Sequence, residues 1–303
     1  MRGFVLRTTG SWYRVRIEDG QILDCRLRGN YRIKGNKQTN PIAVGDYVQL
    51  ILQDDGTGLI TDIEERTNYI VRRATKLSKQ THVLAANIDQ LCLVATLEFP
   101  RTSTGFIDRM LVTAEAYHIP SMLIFNKIDL YDEELWQQYN EIKSIYQSAG
   151  YPVYEVSAQE GTGVAELRSL MSNKISLFSG HSGVGKSALL NALDSNLNLR
   201  VGEVSEWSLK GKHTTTFAEL FPFAGGYIID SPGIKEFGMV DFTIEELGYC
   251  FPEFRPYLSQ CYFSNCTHQH EPKCAVKEAL KEGAISMERY QNYLSIIESL
   301  KED

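Results

Sequence analysis

Two short motifs stand in this 303-residue chain in an order that limits how it can fold. Asn126-Lys127-Ile128-Asp129 comes before Gly180-His181-Ser182-Gly183-Val184-Gly185-Lys186-Ser187, the reverse of the usual order in a nucleotide-binding domain. The second stretch fits G-x-x-x-x-G-K-[ST], and the apolar run Lys174–Phe178 before it reads as the buried strand that such a loop leaves. Ala188–Leu193 continues as a helix. At Gly180, Gly183 and Gly185 the missing Cβ lets backbone N–H groups curl around a phosphate, and the helix N-terminus adds positive potential. Lys186 would reach the β- and γ-phosphates and Ser187 would ligate Mg²⁺, with His181, Ser182, Val184 and Ala188 completing the cradle.

The earlier motif names the base. It follows the apolar strand Ser121–Phe125. Guanine presents N1–H and an N2 amino group side by side, so one ionised carboxylate on Asp129 accepts both, whereas adenine has no such pair. Asn126 can bridge to the purine edge or pin the phosphate loop, and the Lys127 stem can lie on the purine face. Ile128 fills the variable position. Pro152–Val156 reads as a further strand ending in Ser157-Ala158-Gln159, whose backbone N–H groups could meet guanine O6. Tyr227-Ile228-Ile229-Asp230-Ser231-Pro232-Gly233 is a strand ending in D-x-x-G, where Asp230 would hold a water of the Mg²⁺ shell and the Gly233 amide would sense the γ-phosphate. Lys212–Thr216 offers three hydroxyls able to complete Mg²⁺ coordination.

Taken together, these five signals make the chain resemble the circularly permuted GTPases, specifically the family of ribosome small subunit-dependent GTPase A (RsgA/YjeQ), over nearly its whole length. The resemblance implies a multidomain α/β protein: an N-terminal OB-like β-barrel (residues 1–68), a circularly permuted P-loop GTPase domain (69–240) and a mainly helical zinc-binding domain (241–303). It implies GTP and GDP as ligands, and the small ribosomal subunit, with its 16S rRNA, as partner in late maturation. It also makes Thr214–Thr216 the first switch, with Thr215 as its Mg²⁺ ligand, and Asp230–Gly233 the second.

Several of these implications have support in the residues themselves. Short alternating runs such as Trp12–Ile17 and Asp46–Leu52, broken at Asp19-Gly20, Gly29-Asn30 and Asp55-Gly56, suggest a small antiparallel barrel, OB or SH3-like. Residues 1–80 carry 14 Lys/Arg against 9 Asp/Glu, leaving 17 against 29 for the remainder, so RNA contact is expected at the basic end. Arg26, Arg28, Tyr31, Arg32, Lys34 and Lys37 gather there around a glycine-bearing loop. The overall charge of −7 argues against indiscriminate nucleic-acid coating. No apolar run reaches the eighteen or so residues of a membrane span, and no long apolar stretch follows the first residues, so a cytoplasmic protein is expected. Nothing demands a second copy, so a monomer is expected.

Cys261, Cys266, His268, His270 and Cys274 fall within fourteen residues, a donor set suited to tetrahedral Zn²⁺. Spacing leaves His268 and His270 as alternatives for the fourth ligand; the resemblance favours His268 and a single structural zinc. Cys25, Cys92 and Cys250 read as small buried apolar residues, and Ile285, Tyr290, Leu294, Ile297 and Leu300 as the packing face of a terminal helix.

Water-activating GTPases commonly place a glutamine after the D-x-x-G glycine. Here Ile234 stands there and can neither donate nor accept, so slow intrinsic hydrolysis completed by a partner is expected. His213 is the candidate for positioning water. Two other readings fit parts of the sequence. A metabolic ATPase or kinase would bind ATP as well as GTP, and a non-hydrolysing RNA-binding scaffold would hold the ribosome equally in both nucleotide states.

Overall fold

A computed structural model describes residues 1–29, 41–73, 81–197, 219–230 and 243–302. These fall into two compact units, one holding the described residues of 1–91, 168–178 and 202–240, the other those of 92–167, 179–201 and 241–303.

In the first unit, β1 (Arg2–Thr8), β2 (Tyr13–Ile17), β3 (Ile22–Leu27), β4 (Tyr47–Leu52) and β5 (Gly58–Ile63) run in the order β1-β2-β3-β5-β4, and β4 pairs back onto β1. The ring closes into an OB-like barrel, which removes the unpaired edges of an open sheet. The expectation of an all-antiparallel barrel needs one correction. β3 and β5 are parallel, with Cys25 opposite Gly58, because a closed ring of five strands cannot alternate direction all the way round. Alternation along each strand sends Val5, Tyr13, Val15, Leu23, Cys25, Val48, Leu50 and Ile60 into one core. At the turn into β4, the fully buried Asp46 accepts from Nε and Nη2 on one edge of the Arg66 guanidinium, each at 2.7 Å, and from the Ala43 amide at 2.8 Å.

β6 (Tyr69–Arg73) pairs antiparallel with β7 (Thr81–Ala86). Beyond them, β8 (Gln90–Ala95), α1 (Thr104–Ala116), β9 (Ser121–Phe125), α2 (Glu133–Ser148), β10 (Val153–Glu155) and α3 (Val164–Met171) alternate. β10 runs parallel to β9, which lies between β10 and β8. This is the pattern of a parallel sheet with helical crossovers. Next come β11 (Ile175–Ser179), α4 (Lys186–Leu193), β12 (Glu219–Phe223) and β13 (Gly226–Asp230). In the first unit, β11-β13-β12 continues onto β1 of the barrel through a single register pair, Arg7 with Glu219. The strands read from sequence at 121–125, 152–156 and 174–178 lie within one residue of their observed bounds, and the one opening at Tyr227 begins one residue earlier, at Gly226.

The C-terminal segment holds α5 (Ile244–Leu247), α6 (Arg255–Leu258), α7 (Ala275–Lys281) and α8 (Met287–Glu302). Its buried stripe differs from the expected one. Tyr290, Tyr293, Ile296 and Ile297 are buried while Leu294 and Leu300 are only half-buried. Arg289, 1 % exposed, joins the buried face and rearranges it. Its guanidinium donates to Asp108 of α1 at 2.6 Å and to both oxygens of Glu253 at 2.6 and 3.0 Å, and lies 4.7 Å from the Phe251 ring centre. Burial pushes the Asp108 carboxyl up, and Arg289, Asn292 and Tyr146 pull it back towards the carboxylate. Among the described residues no helix is long and apolar enough to cross a membrane. Breaking a buried pair strands its partners in a low-dielectric interior. Arg289→Ala should therefore cost about 3–5 kcal/mol, read as a lowered urea midpoint; an unchanged midpoint would show that the network carries no such weight.

Candidate functional site

The phosphate-loop sequence leaves β11 and enters α4 with three glycines at positive φ, Gly180, Gly183 and Gly185, and at two of them a side chain would also collide with backbone or a buried amide. Gly180 has φ +145° and a Cβ there would collide with the Val94 carbonyl. Gly185 has φ +88°, caps α4, and a Cβ would meet the Asn126 amide nitrogen at 2.5 Å. Lys186 opens the helix, and its ammonium donates to the carbonyls of Gly180 at 2.5 Å and His181 at 2.7 Å. Ser187 and Ala188 follow in the first turn, both half-buried, where the unpaired amides of a helix N-terminus favour an anion. Val184 is buried and Ser182 and Gly183 are exposed.

The base-motif residues meet this loop directly. Asn126, 1 % exposed at the end of β9, donates to the Val184 carbonyl at 2.9 Å and accepts from the Ala158 amide at 3.2 Å. Of the two tasks open to Asn126 in the sequence, it performs the second, pinning the phosphate loop. Lys127 holds a left-handed φ of +67°, and its ammonium donates to the Gly183 carbonyl at 2.8 Å and to the Phe99 carbonyl. Asp129 sits on the short helical turn Ile128–Leu130, where its Oδ1 accepts from the Ser157 hydroxyl at 2.5 Å. The Ser157 oxygen in turn accepts from the Glu160 amide at 3.0 Å. Three sequence-distant segments therefore form one polar cluster: a carboxylate for a paired donor, a cation line along Lys127 and Lys186, and a glycine cradle.

Of the remaining candidates, Asp230 ends β13, while Lys212, His213, Thr214, Thr215, Thr216, Gly233 and Ile234 lie outside the described residues, as do Tyr31, Arg32, Lys34 and Lys37. On the barrel, Arg26 stacks over the Trp12 ring at 3.9 Å. Sequence reasoning did not single out Thr102, whose hydroxyl meets the His181 ring at 2.6 Å, because a lone threonine between motifs carries no pattern.

In the C-terminal segment, ligand atoms of Cys261, Cys266, His268 and Cys274 lie within 4.8 Å of one another, and exposed His270 stands outside that group. His268 turns Nδ1 inward, 3.3 Å from the Cys274 sulfur and 3.6 Å from that of Cys261. Two α8 tyrosines hold the ligand-bearing loop, Tyr290 donating to the His268 carbonyl at 2.6 Å and Tyr293 to that of Thr267 at 2.7 Å. Burial pushes the Cys266 thiol up to about 12, a cost that a divalent cation reverses by binding thiolate. Three sulfurs and one imidazole nitrogen at these separations fit tetrahedral zinc. Glu271, which the motif search passed over, gathers the loop: its carboxylate accepts from the amides of Thr267, Gln269 and His270 and from the Thr267 hydroxyl. Burial is the largest single influence and raises its carboxyl, but the donors together outweigh it and hold the group at about 2. Its grip is complete above the ordinary glutamate value of 4.5 and is lost only as pH falls towards 2. Cys25, Cys92 and Cys250 are buried as expected.

Comparison with known proteins agrees with this architecture. The RsgA GTPase family model matches residues 63–240, and the RsgA N-terminal domain model matches residues 2–60. Small ribosomal subunit biogenesis GTPase RsgA 2 of Bacteroides thetaiotaomicron is 51% identical over 303 residues, covering 100% of this chain and 98% of that protein. Small ribosomal subunit biogenesis GTPase RsgA of Bacteroides fragilis is 50% identical with the same coverage. Among solved structures, YjeQ from Thermotoga maritima superposes with a TM-score of 0.82 at 38% identity, covering 99% of this chain and 98% of that one. YloQ, a circularly permuted GTPase, gives 0.79 at 30% identity, covering 99% and 95%. With its motifs in permuted order and its length matched from end to end, the chain belongs to the RsgA GTPase family and is a GTP hydrolase.

Proposed function

We propose that this GTPase binds the small ribosomal subunit and assists its late maturation, hydrolysing GTP to GDP and phosphate with turnover stimulated by the subunit. The observation that carries this reading is the near-half identity, over the whole chain, to relatives named for small-subunit biogenesis. In this reading residues 1–68 are the RNA-binding barrel, 69–240 the permuted GTPase domain and 241–303 the zinc-binding domain. The protein acts in the cytoplasm as a monomer on 16S rRNA and nearby proteins.

Asp129 takes both guanine donors, with Ser157 holding one carboxylate oxygen and the Ala158 region facing the purine edge. Asn126 and Lys127 fix the base-reading turn to the phosphate loop, and the backbone from Gly180 to Ala188 cradles the phosphates. Lys186 leaves its own loop carbonyls for the β- and γ-phosphates. Ser187, Thr215 and, through a water of its shell, Asp230 are the residues that would hold Mg²⁺, which would supply neutralisation of the phosphate charge. Gly233 reports the γ-phosphate. Ile234 supplies no hydrogen bond to water, so His213 is the residue to position it in the subunit-bound protein. Cys261, Cys266, His268 and Cys274 would hold one structural Zn²⁺ that staples the loop between α6 and α7.

Purified small subunits should bind the protein more tightly with a non-hydrolysable GTP analogue than with GDP. Asp129→Asn should abolish that difference for guanine nucleotides, while ATP analogues leave binding at the GDP level. Equal affinity in both nucleotide states would leave only a scaffold role. The zinc assignment has a separate check. Glu271→Ala should release zinc to a chromogenic chelator at least about tenfold faster, in line with the effect of removing a group that orients a ligand loop; wild-type release would exclude Glu271 from holding the site.

A further inference from the structure

The second position of G-x-x-x-x-G-K-[ST] is free in the pattern, yet here its side chain is fully engaged. The Thr102 hydroxyl accepts from the Thr96 amide at 3.0 Å, so its single proton is available for the His181 Nε2 at 2.6 Å. The other ring nitrogen faces the Ser182 carbonyl at 3.0 Å, which can only accept. These directions place the imidazole proton on Nδ1. The ring also meets Phe106 of α1 edge-on, with centroids 5.6 Å apart and planes at 88°. Meanwhile the His181 carbonyl is one of two seats for the Lys186 ammonium.

Thr102 is tied down from the other side. The 96–102 loop is closed by the Thr102 amide donating to the Thr96 carbonyl at 2.8 Å and by the Thr96 hydroxyl donating to the Pro100 carbonyl at 2.6 Å. α1 begins two residues later, its first turn capped by Ser103. That helix is bonded to α8: Thr104 donates to Glu288 at 2.7 Å, Arg289 to Asp108 at 2.6 Å and Asn292 to Asp108 at 2.7 Å. From the same helix Tyr290 and Tyr293 hold the carbonyls of His268 and Thr267 beside the cysteine cluster.

We propose that His181 is a positioning residue for GTP: through Thr102 and α1 it sets the shape of the phosphate loop and the starting place of Lys186 according to how α8 is held. A contact that shifts α8 would then be read as a change in nucleotide affinity, by a route made of packed side chains. The inference rests on Gly180–Ser187 being the phosphate loop.

The test is a set of dissociation constants for fluorescent GTP-analogue and GDP, with unfolding temperature and zinc content as folding controls. His181→Ala and Thr102→Val should each weaken GTP-analogue binding about tenfold, as expected for a lost half-buried hydrogen bond. Combined, they should cost no more than either alone. His181→Gln, which keeps an acceptor, and Thr102→Ser, which keeps the donor, should bind nearly as wild type does. Asn292→Ala should weaken binding in the wild-type background and have no effect beside His181→Ala. Wild-type affinity in His181→Ala, additive losses, or an Asn292→Ala effect that persists without His181 would overturn the proposal. Absence of guanine-nucleotide binding by the wild type would instead sink the phosphate-loop reading on which it stands.

Discussion

One buried amide holds the motif cluster together. Asn126 spends its donor on Val184 and its acceptor on Ala158, so one side chain joins the Asn126–Asp129 turn, the Gly180–Ser187 loop and the Ser157 segment. Its 1 % exposure raises the stakes, since a buried polar group left unpaired costs about 1–3 kcal/mol, more than a typical bond contributes. Other features defer to it. Gly185 must lack a Cβ because Asn126 occupies that space, and Lys127 accepts a left-handed backbone while its ammonium reaches Gly183. Chain order does not enter this arrangement. The motifs need only meet in space, and so the site survives a permutation that reverses them along the sequence.

The C-terminal segment is organised by a different economy. Its helices are short apart from α8, and the rings of Phe251, Phe254, Tyr290 and Tyr293 pack together, with Phe251 also against a buried guanidinium. Burying Arg289 with two carboxylates is poor value as stabilisation, because desolvation offsets most of the attraction. It does exclude alternatives, since only one register of α8 on α1 pairs Arg289 with Asp108 and Asn292 with the same carboxylate. The cysteine cluster complements this from the other end, where Glu271 and the two tyrosines hold the loop in position for a metal.

Much of this was legible in the sequence, and the gaps have physical causes. Strands flanking the motifs could be read because they are largely buried apolar runs ended by polar or glycine residues, as at Ser121–Phe125 before Asn126. The barrel strands were legible through alternation, but the parallel β3–β5 seam is a property of ring closure and leaves no local trace. Asn126 had two open roles because the deciding acceptor, Val184, lies 58 residues away. His268 and His270 are equivalent in spacing; a left-handed φ of +59° at His268 accompanies the turn that sends one inward and leaves the other exposed. On α8 a charged Arg289 looked like the polar face, and only its partners at Asp108 and Glu253 explain why it is buried.

The claim on which all of this turns is that a single amide makes the two permuted motifs into one guanine site. Calorimetric titration of GDP into Asn126→Ala tests it most directly. Loss of one buried and one half-buried hydrogen bond predicts affinity weakened by about 100-fold or more, with the barrel and zinc content intact. Binding within about threefold of wild type, less than one ordinary hydrogen bond is worth, would show that the halves of the site stand without the bridge.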